Sequence, residues 1–337
     1  GSLEVFRGKT IGWEQIQRNP MSDGTYPEAR GFNHCGRRPG SGSLNVIEMV
    51  RFSSLGNPID FGDMALGGSD ANGTFECGAF ASQTRGFAFG GRTDPFSNVI
   101  QFVTMSTFGN SVNFGDLSEG AQLTMGVSDK TRGCRLGGIK YVGPQPYNSS
   151  GVNTIEFVTI AALGDAVDFG DLTVARRHAG PAGNHTRGIW AGGETAGSNT
   201  ITNVMDYVTF ASTGNAADFG DNGGTRGAGG CGSPTRAIWG GGQTGPTGID
   251  VIDYAAFATT GNTTDFGNLT QARANIAGCS NTTRAVWMGG SNPTPAQYNI
   301  IDYVTIATTG NATDFGDMNT GRKNFGGFSD AHGGLGE

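Results

Sequence analysis

Apolar positions along this chain come in short β-rich bursts separated by turn signals. "IDYVTIAT" (301–308) shows the pattern: β-branched and aromatic residues with polar residues interleaved, as in a half-buried strand. "RAVWMGG" (284–290) is a second such burst, and it ends in a Gly-Gly doublet. "ATDFGD" (312–317) reads as a short returning strand. It is entered through Gly310-Asn311, a pair suited to a tight hairpin with glycine where φ must be positive. The small-residue stretch "RANIAGCSN" (273–281), just before Thr283-Arg284, completes four antiparallel strands, a to d in chain order.

The set recurs, and a fixed period governs the rest of the reading. Asp-Phe-Gly or Asn-Phe-Gly followed by Asp or Asn occurs six times, with Phe61, Phe114, Phe169, Phe219, Phe266 and Phe315 spaced 53, 55, 50, 47 and 49 residues apart. Thr-Arg opens strand b at Arg85, Arg132, Arg187, Arg236 and Arg284, with a degenerate copy at Arg30. Six copies of this motif, five of them Asp-Phe-Gly, without the other protein-kinase elements exclude a kinase.

A lone four-stranded sheet cannot bury both faces, whereas six arranged radially can, each packing on the next. The predicted fold is therefore all-β, a six-bladed β-propeller with strand a, built from Ala, Gly, Ser and Cys, at the crowded axis. The ends of the chain argue for a ring over an open solenoid. The first unit begins at Arg30 with strand b and lacks strand a, while Arg322–Ser329 matches Arg273–Ser280, a strand a with no unit of its own. The C-terminal strand is expected to join the N-terminal blade, removing two exposed edges. The predicted organisation is an extension over 1–29 and a propeller over 30–337. Its blades span about 30–63 plus 322–329, 64–116, 117–171, 172–221, 222–268 and 269–317.

Composition sharpens this picture. Glycine accounts for 60 of 337 residues and charged residues for only 15%, a chain ordered by tight turns. Net charge is −7. An acidic body argues against binding nucleic acid through its phosphates. Residues 1–51 are the exception, with seven Lys/Arg against five Asp/Glu. No stretch approaches the ~18 apolar residues of a membrane helix, so no membrane insertion is predicted. No basic segment followed by an apolar one opens the chain, so no signal peptide is predicted in it. Cys35, Cys77, Cys134, Cys231 and Cys279 are odd in number and lack a C-x-x-C pair, which predicts buried free thiols.

With its near-50 period, four strands per unit and doublets such as Gly192-Gly193 and Gly241-Gly242, the chain resembles Kelch-type six-bladed propellers of the galactose-oxidase central-domain kind over about residues 30–330. One departure is that Trp190, Trp239 and Trp287 precede the doublet, where Kelch units place Tyr and Trp after it. Repeats of the "DYVTIATTGNATDFGD" type (302–317) also resemble those of virion proteins of tailed phages, notably tail-associated ones. That resemblance implies a virion location, with residues 1–29 docking on other virion proteins.

The candidate chemistry divides into what repeats and what does not. Arg85, Arg132, Arg187, Arg236 and Arg284 form one ring by symmetry, and Asp168, Asp218, Asp265 and Asp314, which open the Phe-Gly motif, form another. Repetition in every blade argues for architecture, and the two rings are expected to meet in Arg–Asp pairs. A second series on strand c, Glu48, Gln101, Glu156, Asp206, Asp253 and Asp302, is expected to serve structural pairing or a solvated edge. Calcium needs six to eight oxygens converging on one point, which one carboxylate per blade does not supply. His34, His178, His185 and His332 lack a metal-ligand pattern. Nothing places the two Tyr, one Cys and two His that galactose oxidases use for copper, and sialidase boxes and nucleophile or phosphate motifs are absent. No metal, cofactor or catalytic residue is therefore predicted.

The a–b and c–d turns are short and uniform and share one face of the disc. The b–c connections share the other and differ in every blade, as in "RTDPFS" (92–97), "IKYVGPQPYNSSGV" (139–152) and "SNPTPAQY" (291–298). Insertions on one face of a repeat disc mark a binding face. Phe96, Lys140, Tyr141, Gln145, Tyr147, Asn148 and Tyr298 are the candidate ligand contacts, aromatics and amides suited to a sugar or a protein. The sequence thus predicts a non-enzymatic tail-associated adhesin that binds a host surface glycan or protein. The alternatives are a carbohydrate-active enzyme with a pocket at the axis and a cellular Kelch-like scaffold.

Overall fold

Strand c of each repeat is rich in β-branched and aromatic residues, as in Ile300–Thr305, and the sheet forms around it. Strand b pairs along one edge of strand c and strand d along the other. A computed structural model describes residues 3–6, 13–16, 28–40, 42–65, 74–93, 96–141, 149–195, 200–292 and 296–335. It contains six four-stranded sheets, each ordered a-b-c-d. Blade II, for example, consists of Gly78–Ala81, Arg85–Phe89, Val99–Thr104 and Val112–Asp116. Blade III runs from Met125–Ser128 to Val167–Asp171, blade IV from Gly180–Gly183 to Ala217–Asp221, blade V from Gly229–Gly232 to Thr264–Asn268 and blade VI from Ala277–Ser280 to Thr313–Asp317. Blade I takes its strand a, Gly326–Ser329, from the C-terminus, and Arg30–His34, Val46–Arg51 and Ile59–Asp63 from the N-terminus. In that blade Gly31 lies opposite Ser329 and His34 opposite Gly326. Neighbouring a strands touch all the way round, blade VI meeting blade I. In the extension, Leu3–Phe6 pairs antiparallel with Trp13–Ile16, a hairpin the sequence pattern did not indicate.

The Asp-Phe-Gly motif is one half of a latch between blades. In blade IV, Met205 faces Gly220 and Asp206 faces Asp218, so Phe219 is the extra residue of a β-bulge. The bulge turns its ring inward, where it meets Tyr207 edge-on at 5.7 Å. The c–d turn of the next blade then lies directly against Gly220. A Cβ there would stand 2.4 Å from the Gly261 carbonyl oxygen, and φ is +145°, so glycine is required twice over. Gly261 N–H donates to the Phe219 carbonyl at 2.7 Å, and Asp221 N–H donates to Asn262 Oδ1 at 3.0 Å. Both bonds recur between every pair of neighbours. The last pair is Gly56 on Phe315 at 2.8 Å and Asp317 on Asn57 at 2.9 Å.

The Thr-Arg arginines also tie blades together, and here the expected Arg–Asp pairing is corrected. Arg85 donates to the Ile160 carbonyl at 2.6 Å, Arg132 to Phe210 at 2.5 Å, Arg187 to Phe257 at 2.6 Å, Arg236 to Ile306 at 2.7 Å, and Arg284 to Phe52. Each acceptor follows strand c of the next blade. Each guanidinium also lies over an aromatic ring of its own strand c, as Arg187 does over Tyr207 at 4.9 Å. Asp168, Asp218, Asp265 and Asp314 are exposed, and among the described residues no ion pair joins them to these arginines. Register explains why. Arg132 lies opposite Thr159 and Asp168 opposite Glu156, three residues along strand c and on its other side. That is a separation of roughly 10 Å in each direction.

The ion pairs form instead on the second acidic series. Arg135–Glu156 (3.0 Å), Arg176–Asp206 (2.9 Å), Arg273–Asp302 (2.7 Å) and Arg322–Glu48 are all buried. Thr173 and Thr270, from the preceding blades, complete the Asp206 and Asp302 carboxylates through Oγ1 at 2.7 and 2.6 Å. Blades II and V lack the arginine. Gln101 accepts from Ser111 Oγ at 2.7 Å, while burial and neighbouring Asp265 push the Asp253 carboxyl up. All five cysteines are buried and unpaired.

Candidate ligand-binding face

The face bearing the b–c connections is organised by two closed rings of backbone hydrogen bonds. Just before each strand a stands a residue at positive φ: Glu76, Leu123, His178, Gly227, Asn275 and Asn324, with φ between 53° and 66°. Each donates its N–H to the carbonyl of the preceding one, from Leu123 on Glu76 (2.9 Å) round to Glu76 on Asn324 (2.8 Å). In the outer ring, the second glycine of each doublet donates to a d–a connection. Gly91 donates to Ala121 at 2.8 Å and Gly193 to Thr225 at 2.7 Å. The doublets are therefore backbone fixtures of this mouth. Behind them the axial channel narrows to a cavity of about 140 Å³ lined by small residues of the a strands. At its far end sits the turn His332–Gly334, where His332 Nε2 lies 2.9 Å from the Ala81 carbonyl.

On this uniform backbone the side chains differ. The residue after each doublet is bonded to the residue before each positive-φ position, giving the pairs Arg37 with Lys323, Arg92 with Phe75, Ile139 with Gln122, Glu194 with Arg177, Gln243 with Arg226, and Ser291 with Ala274. Charge is confined to blades I, II, IV and V. Glu194 is buried and holds Arg177 at 3.0 Å and also Arg226. The guanidinium groups of Arg37 and Arg92 both lie over the Phe75 ring, at 5.7 and 5.6 Å. Glu76 accepts from Asn324 Nδ2 at 3.0 Å. Burial pushes its carboxyl up, against the pull of Arg92, the Asn324 hydrogen bond, Arg177 and Arg37. Beside the inner ring, Glu76, Arg92, Phe96, Gln122, Leu123, Ile139, Arg177 and Glu194 line an open cavity of about 300 Å³.

The contacts predicted from sequence are scattered. Phe96 is buried and lines this cavity. Lys140, next to the cavity residue Ile139, pairs with Glu119 at 3.3 Å. Tyr141 lies on a short strand, Ile139–Tyr141. Gln145, Tyr147 and Asn148 lie outside the described residues. Tyr298 donates its hydroxyl to the Asn292 carbonyl at 2.8 Å, bracing its own loop, and lines neither cavity. The sequence reading passed over Glu76, Arg92, Arg177 and Glu194. Their signal was present: Arg92 and Glu194 directly follow Gly-Gly doublets, and the residue after the doublet differs in each of the five blades that have one.

The opposite face is uniform in backbone but not in polarity. Leu55, Phe108 and Leu163 are exposed in the c–d turns of blades I to III, where blades IV to VI carry Thr213, Thr260 and Thr309. No protein-family model matches the chain, and no curated protein matches it.

Proposed function

We propose that this propeller is a recognition module that binds a glycan or protein through the b–c face, without catalysing a reaction. One observation carries the reading: equivalent backbone positions around the mouth change their side chains from blade to blade, while latches, ties and inner strands repeat. Repetition serves the fold, and departure from it marks a site made once. The resemblance of the repeats to those of tailed-phage virion proteins makes a tail-associated adhesin the setting, with residues 1–29 docking on a neighbouring virion protein. A glycan array with the purified chain, with hydrolysis assays on every bound glycan, tests the proposal. Binding without turnover is expected.

A specific observation supports a second reading, a glycoside hydrolase. Glu76 and Glu194 line the same cavity, neither is repeated across blades, and their surroundings differ: burial raises the Glu76 carboxyl, while two arginines hold Glu194. Carboxylates in unlike environments are the arrangement of a general acid with an ionised partner. Turnover that is lost in Glu76→Gln would establish this reading in place of the first.

A further inference from the structure

The first residue of each Gly-Gly doublet sits at positive φ: Gly90, Gly137, Gly192, Gly241 and Gly289, between 52° and 67°. Blade I has Cys35 in this place, at 62°, a conformation that residues with a Cβ rarely adopt. In the other five blades a Cβ would stand 2.3–2.7 Å from a carbonyl oxygen of a d–a connection. Blade I makes room for a side chain there, and the side chain is a thiol.

A second thiol stands beside it. Cys77 follows the inner-ring residue Glu76, where the other blades carry Thr124, Ala179, Ala228, Ile276 and Phe325. Thr74 Oγ1 lies 3.5 Å from Cys35 Sγ and 3.0 Å from Cys77 Sγ. The backbone around the pair is fixed: Cys35 N–H donates to the Val46 carbonyl at 3.3 Å, and Gly36 N–H to the Thr74 carbonyl at 3.1 Å. The two cysteines thus face each other across the joint between blade I, which both chain ends share, and strand a of blade II. Cys77 also lines the axial cavity, which gives a small solute a path to the pair.

Their surroundings separate two roles. A hydrogen bond from Cys77 holds the Cys35 thiol well below its ordinary value, against burial, with His34 and Thr74 adding to the effect. The same bond, with burial, pushes the Cys77 thiol up. Cys35 is therefore the attacking sulfur and Cys77 the resolving one.

We propose that Cys35 and Cys77 are a reversible oxidation site for hydrogen peroxide, closing to a disulfide that locks blade I to blade II. The Cys35 thiolate attacks one peroxide oxygen, the O–O bond breaks, hydroxide leaves, and Cys35 becomes a sulfenic acid. Cys77 sulfur then attacks Cys35 sulfur. The S–S bond forms, the S–O bond breaks, and water leaves with the Cys77 proton. Two thiols are oxidised and one peroxide is reduced to two waters. The bond closes a loop of about forty residues holding strands c and d of blade I, which restricts the unfolded chain. A pair of this kind stays open in a reducing compartment and closes in an oxidising one.

The test treats the reduced full chain with hydrogen peroxide, then counts thiols under denaturing conditions and maps peptides by mass spectrometry. Two of the five thiols are expected to disappear into a Cys35–Cys77 cross-link that dithiothreitol reverses. The cross-linked chain should melt about 5 °C higher than Cys77→Ser treated alike. Cys77→Ser should stop at a Cys35 sulfenic acid that dimedone labels. Cys35→Gly, which restores the residue of the other blades, should form no cross-link, and Cys134→Ser should form it undiminished. A full thiol count after peroxide, a cross-link through Cys134, Cys231 or Cys279 instead, or a cross-linked chain that melts no higher each overturns the proposal.

Discussion

The rings of Phe32 and Phe328 stack with centroids 5.1 Å apart and planes 13° from parallel, joining strands that begin and end the propeller. Phe328 also abuts Gly86 of blade II, where a Cβ would stand 2.0 Å from its ring. It thus serves the shared blade and the next one at once. Phe328→Ala should cost about 3–5 kcal/mol, measured as a drop in unfolding free energy by denaturant titration. A loss below about 1 kcal/mol would mean that the C-terminal strand contributes little to the ring.

The Thr-Arg arginines act on carbonyls of the neighbouring blade. Arg187→Ala should therefore destabilise by about 2–4 kcal/mol, combining a charged hydrogen bond with a cation–π contact. Asp218→Asn, at an exposed position, should change stability by less than about 0.5 kcal/mol. Comparable losses at the two sites, with coupling in a double-mutant cycle, would restore the Arg–Asp pairing.

The latch predicts an asymmetry within the Asp-Phe-Gly motif. Gly220→Ala forces a Cβ onto the Gly261 carbonyl and should lower stability by at least about 2 kcal/mol. Asn262→Ala, which orphans the exposed Asp221 N–H, should cost about 1 kcal/mol. Thermal melts of the two variants check the order.

His178 stands on the inner ring, and burial lowers its imidazole to about 4 from an ordinary 6.5. Its folded pKa lies below its unfolded one, so the unfolded chain binds the extra proton between these values, and stability rises with pH across that window. The contribution is present above about pH 6.5 and is lost as pH falls through about 4. Its ceiling is about 3 kcal/mol, and partial exposure of the residue reduces it. His178→Asn, which suits positive φ as Asn275 and Asn324 do, should flatten the fall in melting temperature on acidification. An unchanged acid slope would place the titration elsewhere; His332, also lowered by burial, is the next group to test.

The fold was legible because propellers write their geometry into period and residue size. Phe-Gly-Asp spacing, the doublets and the small a strands each reflect a contact made six times. The arginines were misassigned because repetition shows that a residue is structural without naming its partner. A backbone carbonyl leaves no trace in sequence, so the visible Asp was chosen instead. Inner-ring residues such as Glu76 and Asn324 were hidden for a related reason: their shared property is a positive φ, and residues as unlike as Glu76, Leu123, His178, Gly227 and Asn275 satisfy it. The b–c face was readable from loop length. Length, however, drew attention to Tyr147 and Tyr298, whereas the cavity is built by residues closest to the doublets.

One comparison addresses the assignment of the working face directly: glycan-array binding by the native chain, by Arg92→Gln/Arg177→Gln, and by Phe108→Ser/Leu163→Ser on the opposite face. The account predicts that the arginine variant loses its signal and the opposite-face variant keeps it. The reverse pattern would contradict the account and place recognition on the c–d turns.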